Sequence, residues 1–393
     1  MKTVIAPEFV KNFACIAERC EDHCCHGWKI SIDKSTYGFM TKKSDLKVKS
    51  QKVILRTKNE ASYARIKLDE DGVCPFREES GLCEVHKAHG HRRLSNTCQT
   101  YPRLAKVRGL QVEHSLSLSC PEAARQILLN PSAMNFHSDK VHDNNFKPVK
   151  YERPQWYDNV RQLFIDVLLL ESLPLEERLF LLGMTLKYLD EHQSDIDDFN
   201  HTLDYCCEKI TNGEFSDLYS RLDSAVDLQA SQLIKVFNVQ YALGVVGQQN
   251  QQFKRIHQLH EQLVDAFALA EDDKDKQKVI LQQGFNGNYQ DYIKSKPYIW
   301  LNYFIYEMYR HDFPSRNMYK VFSDFVTDFF LLRGALVAIA SQRPLQDNDF
   351  ILVIQSYHRS RSHGGRLNQG IEVIQRELNV DDKMLPLMLL KMT

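Results

Sequence analysis

The sequence predicts a mainly α-helical protein that begins with a small cysteine-rich α+β domain. Two observations lead to this prediction. Eight of the ten cysteines lie between Cys15 and Cys120, among short stretches in which polar and apolar residues alternate as they do in strands. From residue 155 onward, apolar residues instead recur about every 3.6 residues over long stretches, which is typical of helices.

This change of pattern divides the chain into three predicted parts. Residues 1–130 form a cysteine-rich domain that binds a metal or a cluster, and residues 155–393 form an all-helical domain. Residues 131–154 are predicted to be a linker, because they are polar, contain Asn and Pro and lack sustained periodicity. The net charge is +8 over residues 1–150 and −9 over the remainder, so the two ends of the chain should attract each other.

Short elements are predicted around the first cysteines. Trp28, Ile30 and Ile32 alternate with polar residues as in a half-buried strand, and Asp33 then stands where a helix N-cap is expected. Residues 64–68 alternate in the same way and predict a second short strand, which delivers the next cysteine.

A hairpin and a helix are predicted to close the cysteine-rich domain. Residues 103–118 suit a hairpin that turns at Arg108–Gly109, and Pro121 suits the first position of a helix. Cys120 would then lie at the N-terminus of this helix, where the helix dipole should favour its thiolate.

The helical domain contains an unusually aromatic segment over residues 285–314. We expect most of its rings to be core, since aromatic residues at helical spacing usually are. Cys206 and Cys207 are expected to lie on a helix and to belong to the hydrophobic core. The other predicted helices fall in residues 156–173, 175–192, 215–243, 253–272, 321–342, 347–364 and 368–380.

Several classes of protein are disfavoured. No run of about 18 apolar residues occurs, and the first residues lack the apolar core of a signal peptide, so we expect a cytoplasmic protein without a membrane span. Neither a P-loop nor a strand-associated G-x-G-x-x-G motif is present. The basic run at residues 89–93 is better explained as a solvated face than as a nucleic-acid site.

The clustered cysteines predict a metal or cluster site. Thiols stay reduced in the cytoplasm, and soft metals and iron–sulfur clusters prefer thiolate ligands. Spacing alone does not separate zinc from iron–sulfur, but the absence of C-x3-C-x2-C, with Gly27 at the third position, argues against a standard radical enzyme. Four ligands would suffice, from among Cys15, Cys20, Cys24, Cys25, Cys74, Cys83, Cys98 and Cys120, and His23, His26, His86, His89 and His91 are additional candidates.

The cysteine-rich part resembles a zinc- or iron-chelating cysteine-cluster domain, in which a C-P-F segment with a following G-x-C precedes a C-x-x-Y-P segment. The matching residues are Cys74, Pro75, Phe76, Gly81, Leu82, Cys83, Cys98, Tyr101 and Pro102.

From Val10 to about Ser360 the chain resembles the flagellin lysine N-methylases, which join such a domain to a helical part with an N-Y and F-P signature. Asn302, Tyr303, Phe313 and Pro314 meet this signature.

The second resemblance implies a methyltransferase that moves a methyl group from S-adenosyl-L-methionine to lysine side chains of flagellin before export, with a 4Fe-4S cluster in the protein. Zinc is the alternative metal. Aromatic faces stabilise a sulfonium, so we expect Trp300, Tyr298 and Tyr306 to contact the methyl donor and Tyr303 and Asn302 to act in catalysis. Two other functions stay open: a non-catalytic zinc- or iron-binding adaptor or chaperone, and an iron–sulfur redox module.

Overall fold

The structure is a computed structural model, and it describes residues 1–25, 30–59, 62–193, 195–224, 226–245, 254–267, 273–315, 317–363 and 385–392. It confirms the predicted fold class, with strands confined to the first 141 residues and helices throughout the remainder of the described chain. The strands are β1 (Lys2–Pro7), β2 (Ser31–Ile32), β3 (Ile54–Asn59), β4 (Ser62–Ile66), β5 (Arg103–Arg108), β6 (Gln111–Leu116) and β7 (Phe136–Val141).

The helices of the N-terminal part are short, and most of those after residue 156 are longer. In chain order they are α1 (Glu8–Asn12), α2 (Lys34–Gly38), α3 (Lys47–Val53), α4 (Glu84–His89), α5 (Asn96–Thr100), α6 (Pro121–Leu128), α7 (Tyr157–Leu168), α8 (Leu175–Asp190), α9 (Ile196–Thr211), α10 (Glu214–Arg221), α11 (Val226–Val245), α12 (Lys254–Phe267), α13 (Lys274–Gly284), α14 (Gln290–Ser295), α15 (Tyr298–His311), α16 (Met318–Ala340), α17 (Asp347–His363) and α18 (Leu385–Met388).

A four-stranded sheet in the order β5-β6-β1-β7 connects distant parts of the chain. Strand β1 runs parallel to β6 and antiparallel to β7, with Val4 opposite Val112 on one side and Asp139 on the other. Strand β7 lies within residues 131–154, the segment predicted to be a linker, so part of this segment is a strand of the sheet. Its sequence, FHSDKV, is polar and mostly exposed at the edge of the sheet, and an edge strand needs no apolar periodicity.

A second, three-stranded sheet in the order β2-β4-β3 belongs to the cysteine-rich segment. It has its own small core, in which Ile32, Ala64, Phe76 and Cys74 are buried. The four-stranded sheet contributes instead to the large core of the helical part, through residues such as Leu116. The domain boundaries at residues 130 and 155 stay a prediction.

Several local predictions are confirmed. The Asp33 side chain accepts a hydrogen bond from the Thr36 backbone N–H at 2.9 Å and caps α2. Strands β5 and β6 form the predicted hairpin, and its turn contains Gly109 with a φ of 60°. Pro121 is the first residue of α6. The predicted contribution of Trp28 to a strand and the predicted helix over residues 368–380 lie outside the described residues.

Cys206 is fully buried in α9, as predicted. Among the helices in the described part of the chain, none combines the length and the apolar character needed to cross a bilayer.

A buried arginine in α16 fastens the last described segment to the helical core. The Arg333 side chain is fully buried, and its guanidinium donates to the Glu176 carboxylate at 3.0 Å. It also donates to the backbone carbonyls of Leu389 and Leu390, each at 2.8 Å. A buried guanidinium requires several hydrogen-bond acceptors. This side chain of α16 finds them in α8 and in the residues after α18, and it thereby joins the two.

Replacing Arg333 by methionine should therefore destabilise the protein strongly. The Arg333→Met variant leaves the Glu176 carboxylate buried without its cation, and we expect the free energy of unfolding to fall by about 3–5 kcal/mol. Urea denaturation would measure this change. The matched control is Lys320→Met in the same helix, which removes an exposed pair with Asp324 and should change stability little. Equal stabilities of the two variants would contradict the role given to Arg333.

Candidate functional site

Six of the eight N-terminal cysteines line one cavity of about 180 Å³. One water molecule takes up roughly 30 Å³ of the liquid, so this cavity has room for a group of several atoms. Buried apolar residues of the small core form its walls, among them Ile32 and Phe76. The six cysteines are Cys15, Cys24, Cys25, Cys74, Cys83 and Cys98.

Backbone contacts of short loops bring these thiols together. The Cys74 N–H donates to the Cys25 carbonyl at 2.7 Å, which joins two loops that are far apart in the sequence. Cys83 forms an isolated β-bridge with Arg77 and directly precedes α4. Cys98 lies in the first turn of α5, where its N–H donates to the Ser95 hydroxyl at 3.3 Å. No long element is needed, because each cysteine is held by a turn or a helix end.

Gly81 allows the loop of the first cysteines to lie against the loop between Cys74 and Cys83. Its φ is 84°, in the left-handed region that favours glycine, and a Cβ atom there would stand 2.9 Å from a carbon of the His23 ring. A larger residue would be strained and would also push His23 away. The glycine of the G-x-C segment is therefore explained by a close contact as well as by a turn.

The residues that carry the cysteine-cluster resemblance surround the cavity. Cys74, Phe76, Cys83, Cys98 and Tyr101 all line it. The bond between Tyr101 and the following proline is cis, as is the bond between the phenylalanine and proline of the F-P signature.

Burial raises the pKa of most of the thiols. The pKa values of Cys74 and Cys120 rise to about 12 and that of Cys98 to about 11, in each case because desolvation penalises the thiolate. Cys120 stands directly before α6, as predicted, but burial outweighs the effect of the helix terminus on its pKa. A hydrogen bond within the vicinal pair lowers the pKa of Cys24 to about 7 and raises that of Cys25.

The remaining candidate ligands are distributed around this centre. His86 and His91 line the cavity, whereas His89 pairs with Asp45 at 2.7 Å. Cys20 and Cys120 do not line the cavity but lie within electrostatic reach of each other. His26 lies outside the described residues. Within the described ranges, no group of three or more His, Cys, Asp or Glu is arranged to hold a metal ion.

A buried polar network holds the first cysteine loop against helix α17. The Asp22 carboxylate pairs with the Arg359 guanidinium and accepts a hydrogen bond from the Gln355 amide at 2.7 Å. The same Gln355 amide nitrogen donates to the Ser119 carbonyl at 3.1 Å, and the Gln355 side-chain oxygen accepts a hydrogen bond from Arg255 at 2.9 Å. The loop that carries Cys20, Cys24 and Cys25 is thereby fixed to the helical part of the chain.

The aromatic segment lies mainly in helix α15, where one row of side chains contacts the N-terminal half. Each donates to a backbone carbonyl: Tyr298 to Leu129 at 3.2 Å, Asn302 to Asn130 at 2.9 Å, and Tyr306 to Leu116 at 2.7 Å. They are spaced four residues apart and therefore share a helix face. The buried Trp300 donates its indole N–H to the Tyr289 hydroxyl at 2.9 Å. All four side chains are engaged in packing, and their predicted roles in donor binding and catalysis stay predictions.

Tyr303 has different surroundings, because it borders a buried polar cluster between α15, α16 and α17. We define this cluster as Tyr303, Glu307, Asp328, Tyr357 and His358. The Tyr303 hydroxyl lies 3.3 Å from the His358 Nε2 atom, and the Tyr357 hydroxyl donates to the Asp328 carboxylate. The catalytic role predicted for Tyr303 also stays a prediction.

The two buried carboxyl groups of this cluster have opposite pKa shifts. Burial raises the pKa of Asp328 to about 6. Burial acts in the same direction on Glu307, but a hydrogen bond from His311 and nearby positive charges bring its pKa down to about 2. Burial also lowers the pKa of His358 to about 3. Carboxyl groups tuned apart in this way are frequent at sites where protons or cations are handled.

Sequence reasoning missed the polar network and the polar cluster. Asp22 and Arg359 are 337 positions apart in the chain, and each looks like an ordinary surface charge in the sequence. Glu307 and Asp328 likewise fall among apolar residues without a recognisable motif. For Glu307 and Asp328, the only signal in the sequence was a charged residue within a strongly apolar helical stretch.

Comparison with known proteins identifies the helical part. A sequence-family model described as the FliB lysine N-methylase C-terminal domain matches residues 161–389. The chain is 40% identical over 136 residues to the flagellar biosynthetic protein FliU of Salmonella muenchen, a match that spans 34% of this chain and 80% of FliU.

The chain is also 38% identical over 148 residues to proteins called lysine-N-methylase in Salmonella choleraesuis strain SC-B67 and in Salmonella typhimurium strain LT2. Each of these matches spans 37% of this chain and 37% of the relative, well under two thirds of its length. No solved structure matches the chain. Because the family model covers more than half of the chain, the resemblance noted in the sequence is confirmed: this protein belongs to the FliB lysine N-methylase family.

Proposed function

We propose that the protein is an S-adenosyl-L-methionine-dependent methyltransferase that N-methylates lysine side chains of flagellin, with an iron–sulfur cluster held by its N-terminal cysteines. The match of residues 161–389 to the lysine N-methylase domain carries this proposal. The flagellar name of the related FliU supports a flagellar protein as the substrate. Methylation before export would take place in the cytoplasm.

The donor set around the cavity fits a thiolate-bound cluster chemically. Four of its cysteines are at least partly buried, and we propose these as the ligands: Cys25, Cys74, Cys83 and Cys98. Metal binding deprotonates thiols whose pKa is raised by burial, so their high values in the free chain do not oppose ligation. A bound 4Fe-4S cluster would supply Lewis-acidic, redox-active iron at this position.

Methyl transfer places two requirements on the protein. The lysine nitrogen must carry a free electron pair, which forms the new N–C bond as the S–C bond of the sulfonium breaks and a neutral thioether leaves. Lysine in water has a pKa of ~10.4, so the site must desolvate it or accept its proton. The sulfonium is cationic, and so is lysine in water before it loses its proton, so nearby carboxylates and aromatic faces would draw both into the site.

The polar cluster provides a reason to retain Tyr303 as the proposed catalytic residue. Its ring packs against Trp300 with centroids 5.6 Å apart, and its hydroxyl faces a cluster that contains two carboxyl groups. The carboxylate of Glu307 has one oxygen with no hydrogen-bond partner in the described part of the chain. An acceptor of this kind suits a cationic substrate group.

One prediction concerns the proposed cluster ligands. Protein purified without oxygen should be brown and should transfer methyl groups from labelled S-adenosyl-L-methionine to flagellin. In Cys98→Ser, we expect the iron content and the visible absorbance to fall at least severalfold, because serine is a poor ligand for iron–sulfur clusters. Methyl transfer should fall with them if the cluster is needed for the reaction.

The matched control is Cys207→Ser, which removes a half-buried thiol from helix α9, away from the cavity. It should retain full cluster absorbance and activity. A colourless wild-type protein that is loaded with zinc and still transfers methyl groups would refute the iron–sulfur part of the proposal. Wild-type protein that carries the cluster but methylates no lysine of flagellin would refute the enzymatic part.

A further prediction compares two buried tyrosines of helix α15, Tyr303 and Tyr309. If Tyr303 acts in methyl transfer, Tyr303→Phe should lower kcat by roughly 10²- to 10⁴-fold, the range typical of general acid–base groups. Tyr309→Phe removes a hydroxyl that donates to the backbone carbonyls of His114 and Ile5 and should lower thermal stability, with a much smaller effect on kcat. Single-turnover kinetics and thermal unfolding of both variants separate the two roles. Equal losses of kcat would assign Tyr303 to the core.

A further inference from the structure

Arg103 lies at the exposed side of the thiol-lined cavity. It is the first residue of β5, directly after the proline of the C-x-x-Y-P segment, and it lines the cavity together with Tyr101 and Gln99. Its guanidinium stacks on the buried ring of Phe13, with its central carbon 4.9 Å from the ring centroid. In the part of the chain that the structure describes, Arg103 makes no ion pair.

Several other cations in this part of the molecule pair with carboxylates. Arg359 pairs with Asp22, Arg125 pairs with Glu21 and Glu122, and Lys49 pairs with Glu84. No carboxylate is found among the described residues that line the cavity. Apart from the thiols proposed as cluster ligands, the described lining offers Arg103 no negative side chain, and its exposed guanidinium suits an anionic ligand group.

We propose that Arg103 binds the carboxylate of the amino-acid end of the methyl donor at this cavity. This inference rests on the proposed function, which gives the protein a donor with a carboxylate. A guanidinium pairs with a carboxylate through two parallel N–H donors, and such bonds are about twice as strong as hydrogen bonds between neutral groups. Stacking on Phe13 fixes the guanidinium in advance, so less side-chain entropy is lost when the ligand binds.

The binding experiment uses the cluster-loaded protein and two ligands. S-adenosyl-L-methionine carries the carboxylate, and decarboxylated S-adenosylmethionine lacks it. By anaerobic titration calorimetry, we expect Arg103→Gln to weaken binding of the first ligand by roughly 10- to 100-fold. The decarboxylated ligand should bind the wild type and Arg103→Gln equally, because the group that Arg103 recognises is missing.

The matched control is Arg56→Gln. Arg56 is likewise exposed and stacks on an aromatic ring, with its central guanidinium carbon 4.9 Å from the centroid of Tyr63, but it does not line the cavity. This variant should bind both ligands as the wild type does. The visible absorbance and the reduction potential of the cluster, recorded for each variant, show whether Arg103 acts on the cluster instead.

Three outcomes would overturn the assignment. Binding of S-adenosyl-L-methionine by Arg103→Gln with wild-type affinity would contradict the assignment. Equally weakened binding of both ligands would show that the carboxylate is not the target of Arg103. A changed cluster potential with unchanged affinity would assign Arg103 to the cluster. Failure of the wild type to bind any S-adenosyl-L-methionine is a separate result, because it would refute the proposed function and this inference with it.

Discussion

A buried backbone carbonyl needs a hydrogen-bond donor. Side chains of helix α15 donate hydrogen bonds to several such carbonyls in the N-terminal half of the chain. Tyr306 donates to the Leu116 carbonyl, and Tyr309 donates to those of His114 and Ile5. Leaving such a group buried and unpaired costs about 1–3 kcal/mol. Because one helix face meets this need along its length, the four-stranded sheet and the long helices share one core, and the cysteine-rich segment is attached to a firm support.

The elements that could be predicted are those determined by neighbouring residues. A capping aspartate at Asp33, a turn at Arg108–Gly109 and a proline at position 121 act over a few positions, and a reader of the sequence sees them directly. Strand β1 was not predicted, because its partners β6 and β7 are more than a hundred residues away. Strand pairing over such distances depends on the complete fold, and the residue pattern within one strand does not predict its partners.

The candidate site was predictable in its chemistry and not in its arrangement. Cysteine spacing identified the thiols, but only the folded chain separates those that line the cavity from Cys20 and Cys120. The aromatic residues were conspicuous in composition, yet composition does not distinguish a tyrosine that docks a helix, such as Tyr306, from one that borders buried charges, such as Tyr303. The Asp22–Arg359 pair depends on two residues whose proximity exists only after folding.

The stacking of Arg103 on Phe13 joins the points where the chain leaves the first helix and where it returns to the sheet. The described residues between Phe13 and Arg103 form an inserted segment, which has its own three-stranded sheet and small core. During synthesis, β1 emerges first but has to wait for about 100 further residues before β6 can pair with it. At roughly 5–20 residues per second, this wait lasts about 5–20 s. The inserted segment can therefore fold on the ribosome while its two ends are still apart, and the four-stranded sheet closes only after β6 and β7 have been synthesised.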